Sequence, residues 1–140
     1  MKCEIFPLNT FAEYGYVIVL SHFQGKILLS RKEDRSTWET QGGHVEAGET
    51  PLQAAQRELF EESGAIAFHL TPLCDYRYGT GLGQVFSAEI QSLGEMPPFE
   101  MAEIRLFDSL PAELTYPDIS PCLFSYEENT LHIASYRKNQ

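Results

Sequence analysis

The sequence predicts an α/β fold with a mixed β-sheet held between helices. Three observations predict it: short β-branched and aromatic runs recur along the chain, one helix is cleanly bounded at 51–63, and a second, shorter one is signalled near 121–128. Strands interleaved with two helices bury their apolar faces best when helices cover both sides of the sheet. The 140 residues suffice to bury about two-thirds of the unfolded surface, which is one core, so residues 1–140 are expected to form a single domain. A hydrophobic content of 43% excludes wholesale disorder.

In chain order, Tyr14 to Leu20 (YGYVIVL) reads as a strand and Lys26 to Ser30 (KILLS) as its hairpin partner across a turn at Gln24-Gly25. The polar link RKEDRST follows, and Trp38 to Gln41 reads as a short strand entering a glycine-containing loop. Beyond the first helix, Ala65 to Leu70, Asp75 to Tyr78, Gln84 to Ile90 and Ile104 to Phe107 are strand candidates. Ser120 before Pro121 caps the second helix, and Thr130 to Tyr136 alternates as a last strand. No repeat or low-complexity tract interrupts this order.

The most informative run is Gly43 to Gly64, GHVEAGETPLQAAQRELFEESG. Thr50 can cap free N–H groups, Pro51 suits the first helical position, and Gln53 can reach back to complete a capping box. Residues 51–63 contain no internal glycine or proline, and Gly64 supplies a left-handed stop. At about 100° per residue, Leu52, Ala55 and Leu59 share one stripe, while Glu58, Glu61 and Glu62 fall in a neighbouring arc, Glu62 at its apolar border.

That arc decides the chemistry. On an open helix face, like charges three or four residues apart cost only about 0.2–0.5 kcal/mol per pair. Converging in a cleft about 4 Å apart at an effective dielectric near 20, they repel by about 4 kcal/mol per pair, and a cation is needed. Oxygen-only donors, with no nearby Cys and no helical His pair, favour a hard divalent ion: Mg²⁺, with Mn²⁺ as substitute. Arg57 can pin one carboxylate in a bidentate pair, with Glu49 or Glu61 as the candidate partner. The competing reading is a solvated acidic face, which the framing glycines and arginine disfavour.

The positions Gly43, Glu49, Arg57, Glu58, Leu59, Glu61, Glu62 and Gly64 resemble the Nudix box, the signature of hydrolases that cleave a nucleoside diphosphate linked to another group. The resemblance implies an α/β/α sandwich with a mixed sheet and the box as loop-helix-loop. It implies that Glu58, Glu61 and Glu62 bind metal together with the backbone carbonyl of Gly42, and that Arg57 is the orienting arginine. A further glutamate about forty residues on commonly assists, and Glu103, in EMAEIRLFDSLP, is the best placed, with Glu100 next. Two positions depart from the pattern: Gln41 stands where proline usually precedes the paired glycines and is expected to loosen the loop, and Ala65 is a small final aliphatic.

A metal held by that set would polarise a bridging diphosphate and lower the pKa of a bound water. Water attacks phosphorus, and Glu103 or a box carboxylate takes its proton. The products would be a nucleoside monophosphate plus pyrophosphate or a phosphorylated group. The leading substrate class is a nucleoside triphosphate, oxidised ones included, because the signatures of the ADP-ribose, dinucleoside polyphosphate, NADH and coenzyme A subgroups are absent. Two readings compete: a catalytically silent nucleotide-binding or regulatory module, which the intact carboxylates disfavour, and an isomerase of isoprenoid diphosphates, whose Cys motif is missing.

Other residues carry weaker signals. His44 can touch a phosphate or close the loop, Trp38 can stack on a base or cap the core, and Lys32 and Arg35 can meet phosphates or belong to a solvated link. Tyr78, with Tyr76, Phe86 and the glycines at 79, 81 and 83, is expected to line the nucleotide pocket. A net charge of −10 argues against long nucleic acid, since that affinity rests on cationic contacts with phosphates, while a small nucleotide remains compatible. Cysteines 3, 74 and 122 are odd in number and scattered, which suits reduced thiols. No apolar run approaches the roughly 20 residues of a membrane span, and the N-terminal residues lack a leader pattern, so a cytoplasmic protein is expected. Oligomeric state is open, with a homodimer suggested by the resemblance.

Overall fold

Alternation along one strand shows how the chain builds two cores. In a computed structural model that describes residues 3–131, strand β2 (Tyr16–Phe23) sends Val17 and Val19 to one face of the sheet and Leu20 to the other, with Ile18 packed beside it. The first face meets helix α1 (Pro51–Ser63) through Ala54, Ala55 and Leu59, and the second meets helix α2 (Ser120–Leu131) through Leu123 and Phe124. The result is the expected three-layer α/β/α arrangement.

The remaining strands are β1 (Cys3–Phe6), β3 (Lys26–Lys32), β4 (Gln41–His44), β5 (Ala65–Tyr78), β6 (Gly81–Leu93) and β7 (Met101–Phe107). They form a seven-stranded sheet in the order β1-β5-β6-β2-β3-β7, with β4 attached to β2. Only the β2–β6 pairing is parallel, so the sheet is mixed. One edge of β2 is shared: residues 16–19 pair with β4 and residues 21–23 with β3. The loop that leads into α1 is thereby bonded to the centre of the sheet.

Helix α1 has the predicted bounds and caps. Thr50 accepts from Gln53 N at 3.1 Å, the Gln53 side chain accepts from Thr50 N at 2.9 Å, and Gly64 is left-handed at φ 79°. Its buried stripe is Ala54, Ala55, Leu59 and Ser63; Leu52, in angular register with Leu59, lies in the first turn and is exposed.

Several boundaries differ from expectation. The two strands predicted at 65–70 and 75–78 are one strand, because the irregularity at Pro72 is absorbed as a register shift against β6 rather than ending the pairing. Trp38–Gln41 is not a strand: Glu39 bridges to Ser30 and Trp38 to Leu114, and β4 begins at Gln41. Strand β1 was not foreseen, and it pairs with the end of β5. Thr130 and Leu131 close α2, and the rest of the strand expected at 130–136 lies outside the described residues.

Two buried polar groups fasten the periphery. Asp75 Oδ2 accepts from Thr10 N at 2.8 Å, Phe11 N at 3.3 Å and the Tyr14 hydroxyl at 2.6 Å, while Oδ1 accepts from Gln84 Nε2 at 3.0 Å. This gathers the segment between β1 and β2 onto the sheet. On the α2 face, His22 Nε2 and Glu127 Oε1 are 2.7 Å apart, both residues buried. The three cysteines, scattered in sequence, are neighbours here: Cys122 Sγ donates to the Cys3 carbonyl at 3.9 Å, and burial beside the other two pushes the Cys3 thiol up to about 12. Among the described residues no helix is long and apolar enough to cross a membrane.

Candidate active site

The paired glycines and the box helix meet at two carboxylates. Glu62 Oε1 accepts from Gly42 N at 2.8 Å, and a Cβ on Gly43 would come within 2.7 Å of the Glu58 carboxylate, so glycine leaves room for the close approach of that carboxylate to the loop. The close approach is set by side-chain bonds one residue earlier. Gln41 is fully buried; its Oε1 accepts from Ser21 Oγ at 2.6 Å, and its Nε2 donates to Ser30 Oγ at 2.9 Å and to the Leu28 carbonyl at 3.3 Å. Ser30 Oγ in turn donates to the Glu62 carbonyl at 2.7 Å. Gln41 therefore ties the loop to β2, to β3 and, through Ser30, to α1, and does not loosen it as expected from sequence.

Arg57 is the hub of the acidic cluster. Its Nε donates to Glu49 Oε2 at 2.7 Å and its Nη2 to Glu49 Oε1 at 2.9 Å, the bidentate pair anticipated for Glu49. Nη1 donates to Glu58 Oε1 at 2.7 Å and reaches Glu61 Oε1 at 3.4 Å, and Nη2 also donates to the His44 carbonyl at 3.0 Å. These bonds hold Glu49 down at about 2, the Arg57 hydrogen bonds acting first and the Glu46 backbone second. Glu58 moves the other way, because burial outweighs the arginine. Glu62 is pushed up to about 8, chiefly by desolvation, with Glu58 and Glu39 adding repulsion against the Gly42 amide and Lys32.

Such desolvated, mutually repelling carboxylates suit a hard divalent cation, and the donor set is all oxygen. Glu58 and Glu62 lie one turn apart, on the paired glycines. Among the described residues no three acidic, His or Cys side chains are grouped so that they could hold a metal ion. The box offers Glu58, Glu61, Glu62 and the Gly42 carbonyl as oxygen donors, the type a hard divalent ion takes.

Beside the cluster opens a cavity of about 530 Å³. Its lining includes Gly42, Gly43, Glu62 and Glu39, with Lys32 the one lysine or arginine among the lining residues. Five rings, those of Tyr16, His44, Tyr76, Tyr78 and Tyr116, also line it. The His44 and Tyr16 rings, on paired positions of β4 and β2, are 4.5 Å apart. Of the sequence-derived residues, Lys32, Gly42, Gly43, His44, Glu62, Tyr76, Tyr78 and Gly81 line this cavity, and Glu49, Arg57, Glu58 and Glu61 form the adjoining network; Gly79 and Gly83 are not among the lining residues, and Phe86, expected there, is buried in the core on the α1 side. Glu103 is not among the lining residues; its Oε1 takes Arg31 and its Oε2 takes Arg105, and these arginines lower its pKa. Trp38 is buried against Phe107, 5.3 Å between ring centroids, in its core role. Tyr16, Glu39 and Tyr116 were missed: Glu39 stood in an apparent strand, and nothing local marks Tyr116, which reaches the cavity only because Thr115 N bonds to the Trp38 carbonyl at 2.9 Å.

An α/β/α sheet whose central loop and helix present an arginine-clamped glutamate cluster to a nucleotide-sized cavity defines a class of phosphate-handling folds. The chain belongs to the Nudix family: the NUDIX domain model matches residues 13–110. The pyrophosphohydrolase BsRppH of Bacillus subtilis has a similar fold, with a TM-score of 0.78, 27% identity, and coverage of 93% of this chain and 90% of that one. A NUDIX hydrolase from Nitrosomonas europaea superposes with a TM-score of 0.70 at 26% identity, over 87% of this chain and 75% of that one. The RNA pyrophosphohydrolase of Baumannia cicadellinicola is 43% identical over 70 residues, 47% of this chain and 44% of that protein, and its Yersinia pestis counterpart is 45% identical over 47 residues, 34% of this chain and 27% of that protein. The chain thus spans less than half the length of these curated relatives.

Proposed function

We propose that this protein is a metal-dependent pyrophosphohydrolase that cleaves the diphosphate of a nucleotide. The observation that carries the reading is the contact of Glu62 with Gly42 N beside Arg57-bound Glu58, which sets desolvated carboxylates against the wall of the cavity. Glu58, Glu61, Glu62 and the Gly42 carbonyl would hold Mg²⁺ or Mn²⁺; bound there, such an ion supplies charge neutralisation at the diphosphate and acidifies water. Arg57 fixes Glu49, Glu58 and Glu61 in one constellation, and Lys32, which lines the same cavity, offers a cation to the phosphates. The contacts of Glu103 weigh against it as proton acceptor, since both its oxygens are engaged by arginines, and favour a box carboxylate in that role.

The preferred substrate is a nucleoside triphosphate, oxidised forms included, giving a nucleoside monophosphate and pyrophosphate. A second reading, a 5′-triphosphorylated RNA end, is favoured by the similarity to RNA pyrophosphohydrolases and opposed by the net charge of −10. Pyrophosphate release measured over a panel of nucleoside triphosphates and a 5′-triphosphorylated RNA, with Mg²⁺ or Mn²⁺, tests both. Turnover of none of them sinks the hydrolase reading, and full turnover by Glu62→Gln sinks the role given to the box.

A further inference from the structure

The fold gathers thiols that the chain keeps far apart. Cys3, on the edge strand β1, and Cys74, on β5, pack into the core on the α2 side of the sheet, and Cys122 is on the first turn of α2 itself. Cys122 Sγ donates to the Cys3 carbonyl at 3.9 Å, and the Cys122 side chain also meets the Cys3 thiol. Cys74 is placed differently. Cys3 stands opposite Tyr78 in the ladder, and Cys74 lies further back along β5, roughly 13 Å away at the rise of a strand. A disulfide needs Cα atoms within about 7 Å, so Cys3 cannot join Cys74 and has Cys122 as its neighbour.

Exposure and burial then order the chemistry. Cys3 and Cys122 are partly exposed, whereas Cys74 is fully buried. Burial pushes the thiols of Cys3 and Cys74 up to about 12, which leaves little thiolate on either to attack an oxidant. Cys122 is the sulfur that an oxidant in solution meets first, with the Cys3 thiol beside it to resolve the product.

We infer that Cys3 and Cys122 are a redox modification site, at which hydrogen peroxide closes a reversible intramolecular disulfide. The Cys122 thiolate attacks one peroxide oxygen; an S–O bond forms, the O–O bond breaks, and the departing hydroxide takes up the Cys122 proton as water. The Cys3 sulfur then attacks the sulfenic sulfur; the S–S bond forms, the S–O bond breaks, and the second hydroxide leaves as water with the Cys3 proton. The pair of thiols gives up two electrons and two protons, and one peroxide becomes two waters. Tyr78, the ladder partner of Cys3, and Ser120, just before Cys122, both line the cavity, so the bond fastens the start of α2 to the strand that backs Tyr78. A cross-link between positions 119 residues apart also restricts the unfolded chain strongly.

The test treats the reduced, unaltered protein with hydrogen peroxide, alkylates the remaining thiols in denaturant, and maps tryptic peptides without reduction. Lys26, Arg57, Arg77 and Arg105 place the three cysteines in different peptides. The expected product is a Cys3–Cys122 peptide pair that dithiothreitol separates, with Cys74 recovered as a thiol. The unfolding temperature is expected to rise by several degrees on oxidation and to return on reduction. Cys3→Ser is expected to lose both the link and the rise, and to carry Cys122 on to the sulfinic acid. Absence of the Cys3–Cys122 pair, a link through Cys74, or links only between separate chains overturns the assignment. So does a link that lowers the unfolding temperature, since such a pair is not poised in the native fold. Nucleotide turnover is not the readout, so this result and the hydrolase reading stand or fall separately.

Discussion

Gln41 Nε2 donates to Ser30 Oγ at 2.9 Å, and the same hydroxyl donates to the Glu62 carbonyl at 2.7 Å, so a glutamine where the family usually has proline links the loop to the last turn of the box helix. Three buried side chains, Ser21, Ser30 and Gln41, depend on this chain of bonds. Gln41→Leu has comparable volume and removes the donors and acceptor, leaving the Ser21 hydroxyl without its acceptor and the Ser30 hydroxyl with only the Glu62 carbonyl. Stability is expected to fall by about 2 kcal/mol, read as a lower urea midpoint at unchanged slope. A neutral result would mean that the network contributes no more than an apolar plug.

Gly43→Ala separates fold from activity. The added methyl meets only the far end of the Glu58 side chain, which can swing away. Thermal unfolding is expected to shift little, while turnover falls about a hundredfold from the misplaced carboxylate. Loss of folding in step with activity would contradict this.

Metal removal and loss of the box carboxylates should act alike. Chelator is expected to abolish pyrophosphate release, Mg²⁺ or Mn²⁺ to restore it, and Glu58→Gln and Glu62→Gln each to lower kcat by at least about a hundredfold with metal present. Chelator-resistant turnover is the contrary outcome.

The Arg57–Glu49 pair gives an acid limb to stability. Glu49 is depressed to about 2 from an ordinary 4.5, so its contribution is fully present above 4.5 and is lost as pH falls through 2. Unfolding temperatures measured from pH 6 to pH 2.5 are expected to fall less steeply in Glu49→Gln than in the unaltered chain, starting from a lower value at pH 6. Parallel curves would show that the pair contributes nothing pH-dependent.

Asp75 holds four donors at once, three of them from the segment between β1 and β2. Asp75→Ala is expected to cost about 3 kcal/mol and to open residues 7–15 to protease, while Tyr14→Phe costs about 1 kcal/mol. Equal protease resistance of the Asp75→Ala protein would show that other contacts fasten the segment.

The box was legible because its signals are local: Thr50 and Gln53 cap a helix across three residues, Gly64 ends it, and Arg57 lies within a turn of Glu58 and Glu61. What the sequence withheld depends on contacts distant along the chain. Glu39 meets Thr115 across 76 residues, β1 meets β5 across more than sixty, and Pro72 reads locally as a break although β6 carries β5 past it. The reading of Gln41 erred for the same reason: its partners Ser21 and Ser30 lie on two other strands, and side-chain bonding replaces the rigidity of proline.

Strand β2's divided edge has a consequence for motion. Because residues 41–44 are paired along their length with β2, and Gly42 N is held by Glu62, the glycines are fastened to the sheet and cannot act as a lid. Any gating on substrate entry therefore falls to other lining segments, the turn at Thr80 and the stretch before Ser120 that carries Tyr116.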